Sequence, residues 1–308
     1  MEKRLSRSDY LFALLFIFML IFIIAAFFYG MSKGEARVRA AYEEQQNKKK
    51  EQEQLLPAYN QQYLVSFYHT IFAPFIDFEK KWFELQDNLE FQTGSIDPAD
   101  SLKQLSGIAS HSYDALAPMT MPASSPLLQD ARQQYMNSLN LFAETFNRFR
   151  SNANSVKGAE LLKQLEADEQ YQKAKQAALA AQSDYYEAME LWYKSDDFTF
   201  ETLTHNEDSP IGLKDWSTRN LLAKDGYIAS YMEQTGIFKP YMPQDLAARI
   251  DEAIITGRAA QLNITTVKQL IDLFVTTNAI RPGDFLKMKE KFYSREPLPQ
   301  LPFFLAER

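Results

Sequence analysis

The chain is 308 residues long, with 46% hydrophobic and 24% charged side chains, a balance that suits a globular protein and argues against wholesale disorder. Acidic residues number 40 against 33 basic, and because nine of the basic and seven of the acidic ones precede Pro57, the remainder stands at net −9. That sign repels phosphate backbones and excludes nucleic acid as a partner, while zero cysteines exclude disulfides and thiol chemistry, and only ten glycines argue against phosphate-cradling loops and a turn-rich β fold.

Leu11 to Tyr29 reads LFALLFIFMLIFIIAAFFY, nineteen residues without a charge, a proline or an amide. At about 1.5 Å per residue, such a helix covers about 30 Å, the thickness of a hydrocarbon core. The run exceeds the roughly 7–15 apolar residues of a cleaved signal peptide, and no small-x-small site follows it. Residues 10–30 are therefore expected to be an uncleaved signal anchor that contacts membrane lipid. Lys3, Arg4 and Arg7 in the short tail (1–9) balance Lys33, Arg37 and Arg39 beyond the span. A short basic tail before a first span usually stays cytoplasmic, and long domains translocate largely regardless of charge. The expected location is the cell membrane, single-pass, with a cytoplasmic N-terminus and an extracytoplasmic body.

Residues 31–56 are mostly strong helix formers with Glu and Lys at pairing distance and no continuous apolar face. They read as a charged helical stalk. After Pro57 the pattern changes. Leu64, Tyr68, Ile71, Phe75, Phe78, Trp82, Leu85 and Leu89 alternate spacings of four and three, which places them on one helix face. Pro74 lies inside that run, so the spacing predicts a kink there and no end. Glu79, Glu84 and Glu90 read as a wet face.

Asp97-Pro98 supplies an N-cap and first-turn proline for a second helix with the stripe Leu102, Leu105, Ala109, Ser112 and Leu116. A third starts at Ser124 or Ser125 with Pro126 and carries Leu128, Ala131, Tyr135, Leu139, Phe142, Phe146 and Phe149. The fourth stripe is Tyr171, Ala174, Ala178, Ala181, Tyr185, Ala188 and Trp192, whose alanines let a neighbouring helix approach closely. Four long helices joined by short polar turns predict an up-down-up-down bundle over 57–197.

Residues 198–212 read as a linker, with Phe198, Phe200 and Thr202 alternating as in a short strand. A cluster of shorter helices is expected over 213–294, at Asp215–Gln234 (stopped by Gly236), Pro243–Thr256, Thr265–Thr277 and Asn278–Tyr293, the last interrupted by Pro282-Gly283. The Pro-rich tail (295–308) is expected to lie extended against the body with two exposed phenylalanines, Phe303 and Phe304. The fold class is thus all-α: one N-terminal transmembrane helix, a charged helical stalk, an up-down four-helix bundle and a smaller cluster of short helices. In layout this resembles the four-helix ligand-binding domains of bacterial membrane receptors, a likeness of architecture alone.

Chemistry is harder to find. The three histidines are His69, His111 and His205. The first two read as helix-flank residues. His205 with Glu207 and Asp208 offers three donors within four loop residues, too local to complete a metal site. No Glu-x-x-His and no G-x-S-x-G occurs, and Asp196-Asp197 reads as solvated loop charge. A hydrolase would need polar groups converging near His205 or Asp284. Asn263-Ile264-Thr265 matches a glycosylation sequon, a common chance pattern. Tyr68, Trp82, Tyr185, Tyr186, Trp192 and Tyr193 are weighed as a ligand pocket between helices, against the commoner reading as core and flank. The expectation is a non-enzymatic, membrane-tethered envelope protein without catalytic residues, metal or cofactor, making protein contacts in an assembly or accessory role with a partner in or at the membrane. The alternative is a small-molecule sensor with an aromatic pocket, signalling through a membrane partner.

Overall fold

The computed structural model describes residues 58–91, 96–195 and 210–305, together with Phe16, Phe18 and Met19. The described chain is all-helical, with no strand beyond an isolated bridge between Gly212 and Thr266. It divides into two compact units, Met1–Leu56 and Pro57–Arg308. In the first, Phe16, Phe18 and Met19 are helical and exposed. The rest of the expected span (10–30) and the stalk (31–56) lie outside the described residues. Among the described residues, no helix is long and apolar enough to cross a membrane.

The second unit begins with α1 (Gln61–Phe67), capped by Asn60, whose Oδ1 accepts from Tyr63 N at 3.0 Å. A π turn (Tyr68–Phe72) joins it to α2 (Ala73–Phe91). Pro74 explains the turn. Its nitrogen cannot donate to Thr70, and its ring crowds that carbonyl. One wider turn, in which Ala73 N–H reaches back to Tyr68 O, carries the helix past the proline without ending it. The extra residue rotates the stripe: Leu64, Phe67, Ile71, Phe72, Phe75, Phe78, Trp82, Leu85 and Leu89 are buried, while Tyr68 is moved to a half-buried edge.

Next come α3 (Pro98–Leu116) and α4 (Pro126–Phe149). Asp97 caps α3 through Asp100 N, as the sequence predicts. Ser125 does not cap α4; its hydroxyl donates to Ala58 O instead, tying the start of α4 to the start of the unit. The fourth rod is broken into α5 (Gly158–Glu166) and α6 (Glu169–Ser195), because Asp168 accepts from Tyr171 N at 3.0 Å and starts a new helix. A side chain at Gly158 would collide with the Leu89 carbonyl, so α5 can sit against the end of α2 only with glycine there. The predicted stripes of α3, α4 and α6 are buried, apart from Phe149 and Trp192 at their ends.

Rings from α1 and α2 interleave with those of α4 and α6. Phe75 and Tyr135 lie 4.4 Å apart between centroids, Phe67 and Tyr185 4.5 Å, and Trp82 and Phe146 4.7 Å. The alanines of α6 do bring it close to α4: the buried Ser138 hydroxyl reaches the Ala174 carbonyl at 2.8 Å.

The C-terminal helices pack on the bundle through α8. The single helix expected over Asp215–Gln234 is two, α7 (Leu213–Ser217) and α8 (Leu221–Thr235), since Asn220 accepts from Ala223 N and begins the second. Gly236, left-handed at φ 67°, ends α8 where expected. The remaining helices are α9 (Pro243–Ile255), α10 (Arg258–Gln261), α11 (Val267–Thr276) and α12 (Asp284–Phe292). One buried carboxylate ties four of these segments together. Asp251 of α9 accepts from Trp216 Nε1 at 2.8 Å and from Tyr293 OH at 2.5 Å, and pairs with Lys224 of α8 at 2.7 Å. A buried charge survives when it is paired and its lone pairs are filled, as here.

The tail corrects the expectation of exposed phenylalanines. Phe304 is fully buried against Phe285, and Phe303 is half-buried among Tyr68, Phe72, Tyr185 and Tyr186. Gln300 N donates to Gln61 Oε1, so the tail returns to the first turn of α1. Pro297, Pro299 and Pro302 supply no backbone donors, so the chain up to Leu301 has no regular structure, and a 3-10 turn at Pro302–Phe304 carries the two rings inward. Phe304→Ala is expected to lower unfolding free energy by about 3–5 kcal/mol in urea titrations. Phe91→Ala, at a ring 67% exposed, is expected to change it by less than about 0.5 kcal/mol.

Candidate functional site

The face of α2 that adjoins the aromatic stripe carries Ile76, Glu79, Lys80, Phe83, Glu84, Asp87 and Phe91, one residue or pair per turn. It forms one wall of a groove of about 770 Å³. The opposite wall comes from Pro240 and Met242, the first turn of α9 (Gln244, Asp245), the α11–α12 turn (Asn278 to Gly283), Leu286 and Phe303. That turn is held open by left-handed Asn278 (φ 50°) and Gly283 (φ 81°). Asp245 is structural: its Oδ2 accepts from Met242 N at 3.1 Å and its Oδ1 from Phe285 N at 3.0 Å, joining α9 to α12. Burial pushes its carboxyl up to about 6 against the opposing pull of those amides. Gln244 is likewise committed, accepting from the Tyr186 hydroxyl.

Glu79 is the exception. It does not belong to the wet face expected of it: it is 9% exposed, between Phe75 and Trp82 on the buried side of α2, while Glu84 and Glu90 are exposed as expected. Its spacing from Phe75 (four) and Trp82 (three) already placed it on the apolar stripe. Burial alone raises its carboxyl to about 8, so at neutral pH it is protonated and uncharged. Behind it lies a void of about 10 Å³, shared with Phe75, Tyr135, Gln182 and Lys239, just large enough for one water. The Gln182 Oε1 is buried there without a protein partner, an acceptor facing the same space as a carboxylic acid that can donate.

Two further acids are buried in the fold. Glu190 of α6 lies against the bare Cα of Gly226, where any side chain would collide with its carboxyl, and burial raises it to about 8. Asp225 is fully buried with both oxygens unpartnered, and burial holds its carboxyl well above the usual range. Neither lines the groove. Asp225 lies four residues after Leu221 and three before Ile228, and Glu190 four after Tyr186 and three before Tyr193, the same spacing that places Glu79 on its stripe.

The other candidates are distributed as follows. His69 and His111 are exposed on helix flanks. His205, Glu207, Asp208, Asp196 and Asp197 lie outside the described residues. Asp284 is buried, accepting from Arg281 N at 2.8 Å and pairing with Lys287, as the first turn of α12 requires. Among the described residues, no group of three or more His, Asp or Glu side chains is arranged to hold a metal ion. Of the six Tyr and Trp residues weighed as a pocket, Trp82, Tyr185, Tyr186 and Tyr193 are buried, Tyr68 and Trp192 are half-buried, and none lines the groove. Trp82 donates to Tyr171 OH at 3.0 Å, Tyr185 OH donates to Leu64 O at 2.9 Å, and Tyr193 is buried. The rings that line the groove are Phe83, Phe91 and Phe303.

No family model matches the chain, and neither a curated protein nor a solved structure is found to match it.

The buried acids fix the sign of the pH dependence. Glu79 binds its proton up to about pH 8 when folded but releases it near its ordinary value of 4.5 when unfolded, so its contribution is lost as pH rises between those values. Glu79→Gln is therefore expected to gain stability relative to the parent between pH 5 and 8, by a few kcal/mol, read as a growing difference in urea midpoint. A constant difference across that range would contradict the burial of this carboxyl.

Proposed function

We propose that this protein is a non-enzymatic binding module: a helical body, held at the cell membrane by residues 10–30 with the body outside, that takes a small molecule into the groove between α2 and the α9–α12 segment. The observation that carries this reading is the groove itself. Its volume of about 770 Å³ falls within the roughly 300–1,000 Å³ typical of small-molecule sites. Its walls combine apolar residues, among them Ile76, Phe83, Phe91, Leu286 and Phe303, with charged ones at Glu79, Lys80, Glu84 and Asp87, a composition that can bind by burial and orient by polar contacts. A shift in the groove has a route into the bundle, since Phe303 touches both the groove and the rings of Tyr68, Tyr185 and Tyr186. The signal would pass to a partner in the membrane.

A second reading, an assembly or accessory subunit that makes protein contacts, is favoured by exposed large side chains: Phe91 at the groove mouth, Ile255 (61%) and Leu262 (53%). The two readings differ in what stabilises the protein. A ligand present at 100 times its Kd raises stability by about 2.7 kcal/mol. Thermal unfolding of the full-length protein against a chemically diverse set of small molecules is expected to find saturable stabilisation, abolished by Leu286→Arg in the groove wall. No stabilisation by any of them, with recovery of a protein partner that Phe91→Glu releases, would favour the assembly role. Protease added to intact cells is expected to digest the body.

A further inference from the structure

We infer that the occupant of the groove is an amphipathic monocation, with its ammonium seated on Glu79 and its apolar body along Phe83, Phe91 and Leu286. The inference rests on the groove being a binding site and names the chemistry it selects. Among the polar side chains that line the groove and are nine-tenths buried, Asp245 and Gln244 already have their oxygens engaged. To the carboxyl of Glu79 no hydrogen bond or ion pair is made by another described residue, and it is the deep acceptor left over. A carboxyl at the edge of a groove with no hydrogen bond from the protein can be met by a donor that carries charge, because an ammonium both fills its lone pairs and offsets its ionisation.

The cations already present do not serve. Arg281 turns its guanidinium back onto its own turn, donating to Ile280 O at 2.9 Å and to Asn278 O. Lys80 and Lys239 are exposed, and neither offsets the burial of Glu79. Facing the same carboxyl from the other elements are Tyr135 of α4, kept protonated by its own burial, and the neutral amide of Gln182 from α6. Glu84 and Asp87 add negative charge along the wall beside the exposed Lys80, and Phe83 and Phe91 supply aromatic rings there. A fatty acid or other anion would meet Glu84 and Asp87 along the wall, offset in part by the exposed Lys80, and the carboxyl of Glu79 at the floor.

Docking changes the protonation of the site in a balanced way. In the free protein Glu79 holds its proton; when the ammonium arrives, the carboxyl O–H bond breaks, the proton leaves to solvent, and a carboxylate–ammonium pair remains. Below about pH 8, one proton is released for each cation bound, and affinity rises with pH.

The test uses the full-length protein with octylamine, octanoate and octan-1-ol, by isothermal titration calorimetry at pH 6, 7 and 8 in two buffers of different ionisation enthalpy. Octylamine stays cationic throughout this range. It is expected to bind at least tenfold more tightly than either analogue at pH 8, to gain about tenfold in affinity per pH unit up to about 8, and to release close to one proton at pH 6. Glu79→Gln, nearly isosteric and uncharged, is expected to keep the helical circular dichroism of the parent while losing both the pH slope and the preference for the amine. Equal or tighter binding of octanoate or octan-1-ol would overturn the cation assignment and leave the groove a binding site. A pH slope that survives in Glu79→Gln would overturn the role of Glu79. Failure of all three probes overturns the assignment; should the diverse set also fail to stabilise the protein, the groove reading falls with it.

Discussion

A carboxylic acid without a charged partner on the buried face of a helix is stable there only while it keeps its proton, and Glu79 sets that constraint at the centre of this structure. The α1–α2 rod presents one face to the rings of α4 and α6 and an adjoining face to the groove, and Glu79 lies on the boundary between them. If it ionised without a counter-charge, a bare charge would sit beside Phe75, Tyr135 and Phe238, at a cost no local contact repays. The packing of the seam and the chemistry of the groove are thereby coupled through one proton.

The rest of the fold supplies what that arrangement needs. The π turn at Tyr68–Phe72 lets the rod run through Pro74, so the ring ladder and the groove wall belong to one continuous element. On the far side, the Asp251 knot holds α7, α8 and α9 to Tyr293, and Asp245 holds α9 to α12, so the second wall is fixed by paired polar contacts. Phe303 and Phe304 close the loop between the two walls. Each is inserted by a Pro-rich segment that contributes almost no regular structure of its own.

The helices of the bundle were legible because their stripes are long and consist of large apolar residues at spacings of three and four, and the caps at Asp97 and Gly236 follow from local chemistry. What escaped is instructive in physical terms. Glu79 reads as wet when the stripe is drawn through Phe78, yet it is four residues from Phe75 and three from Trp82, and a carboxyl can be buried there when neutral. The break at Asn220 and the restart at Asp168 are single capping residues inside otherwise periodic runs, where cap and continuation compete locally. Phe303 and Phe304 looked exposed because a Pro-rich tail has no period, and only the position of Gln61 and Phe285, far away in sequence, shows where the rings go. The groove was invisible for the same reason: its walls lie far apart in the sequence, Ile76 to Phe91 on one side and Pro240 onward on the other, and no pattern in one announces the other. The anchor expected at 10–30 is a reading of composition, and all of that segment but Phe16, Phe18 and Met19 lies outside the described residues.

The most direct measurement of the central claim is the carboxyl ionisation of Glu79 itself, followed by NMR of protein labelled with ¹³C at glutamate side-chain carboxyls and assigned by the signal missing in Glu79→Gln. The expected result is a resonance that stays in its protonated position through neutral pH and titrates near pH 8. A Glu79 signal that titrates with the exposed glutamates near 4.5 would show a solvated carboxylate, and neither the neutral seam nor the cation-selecting floor would survive it.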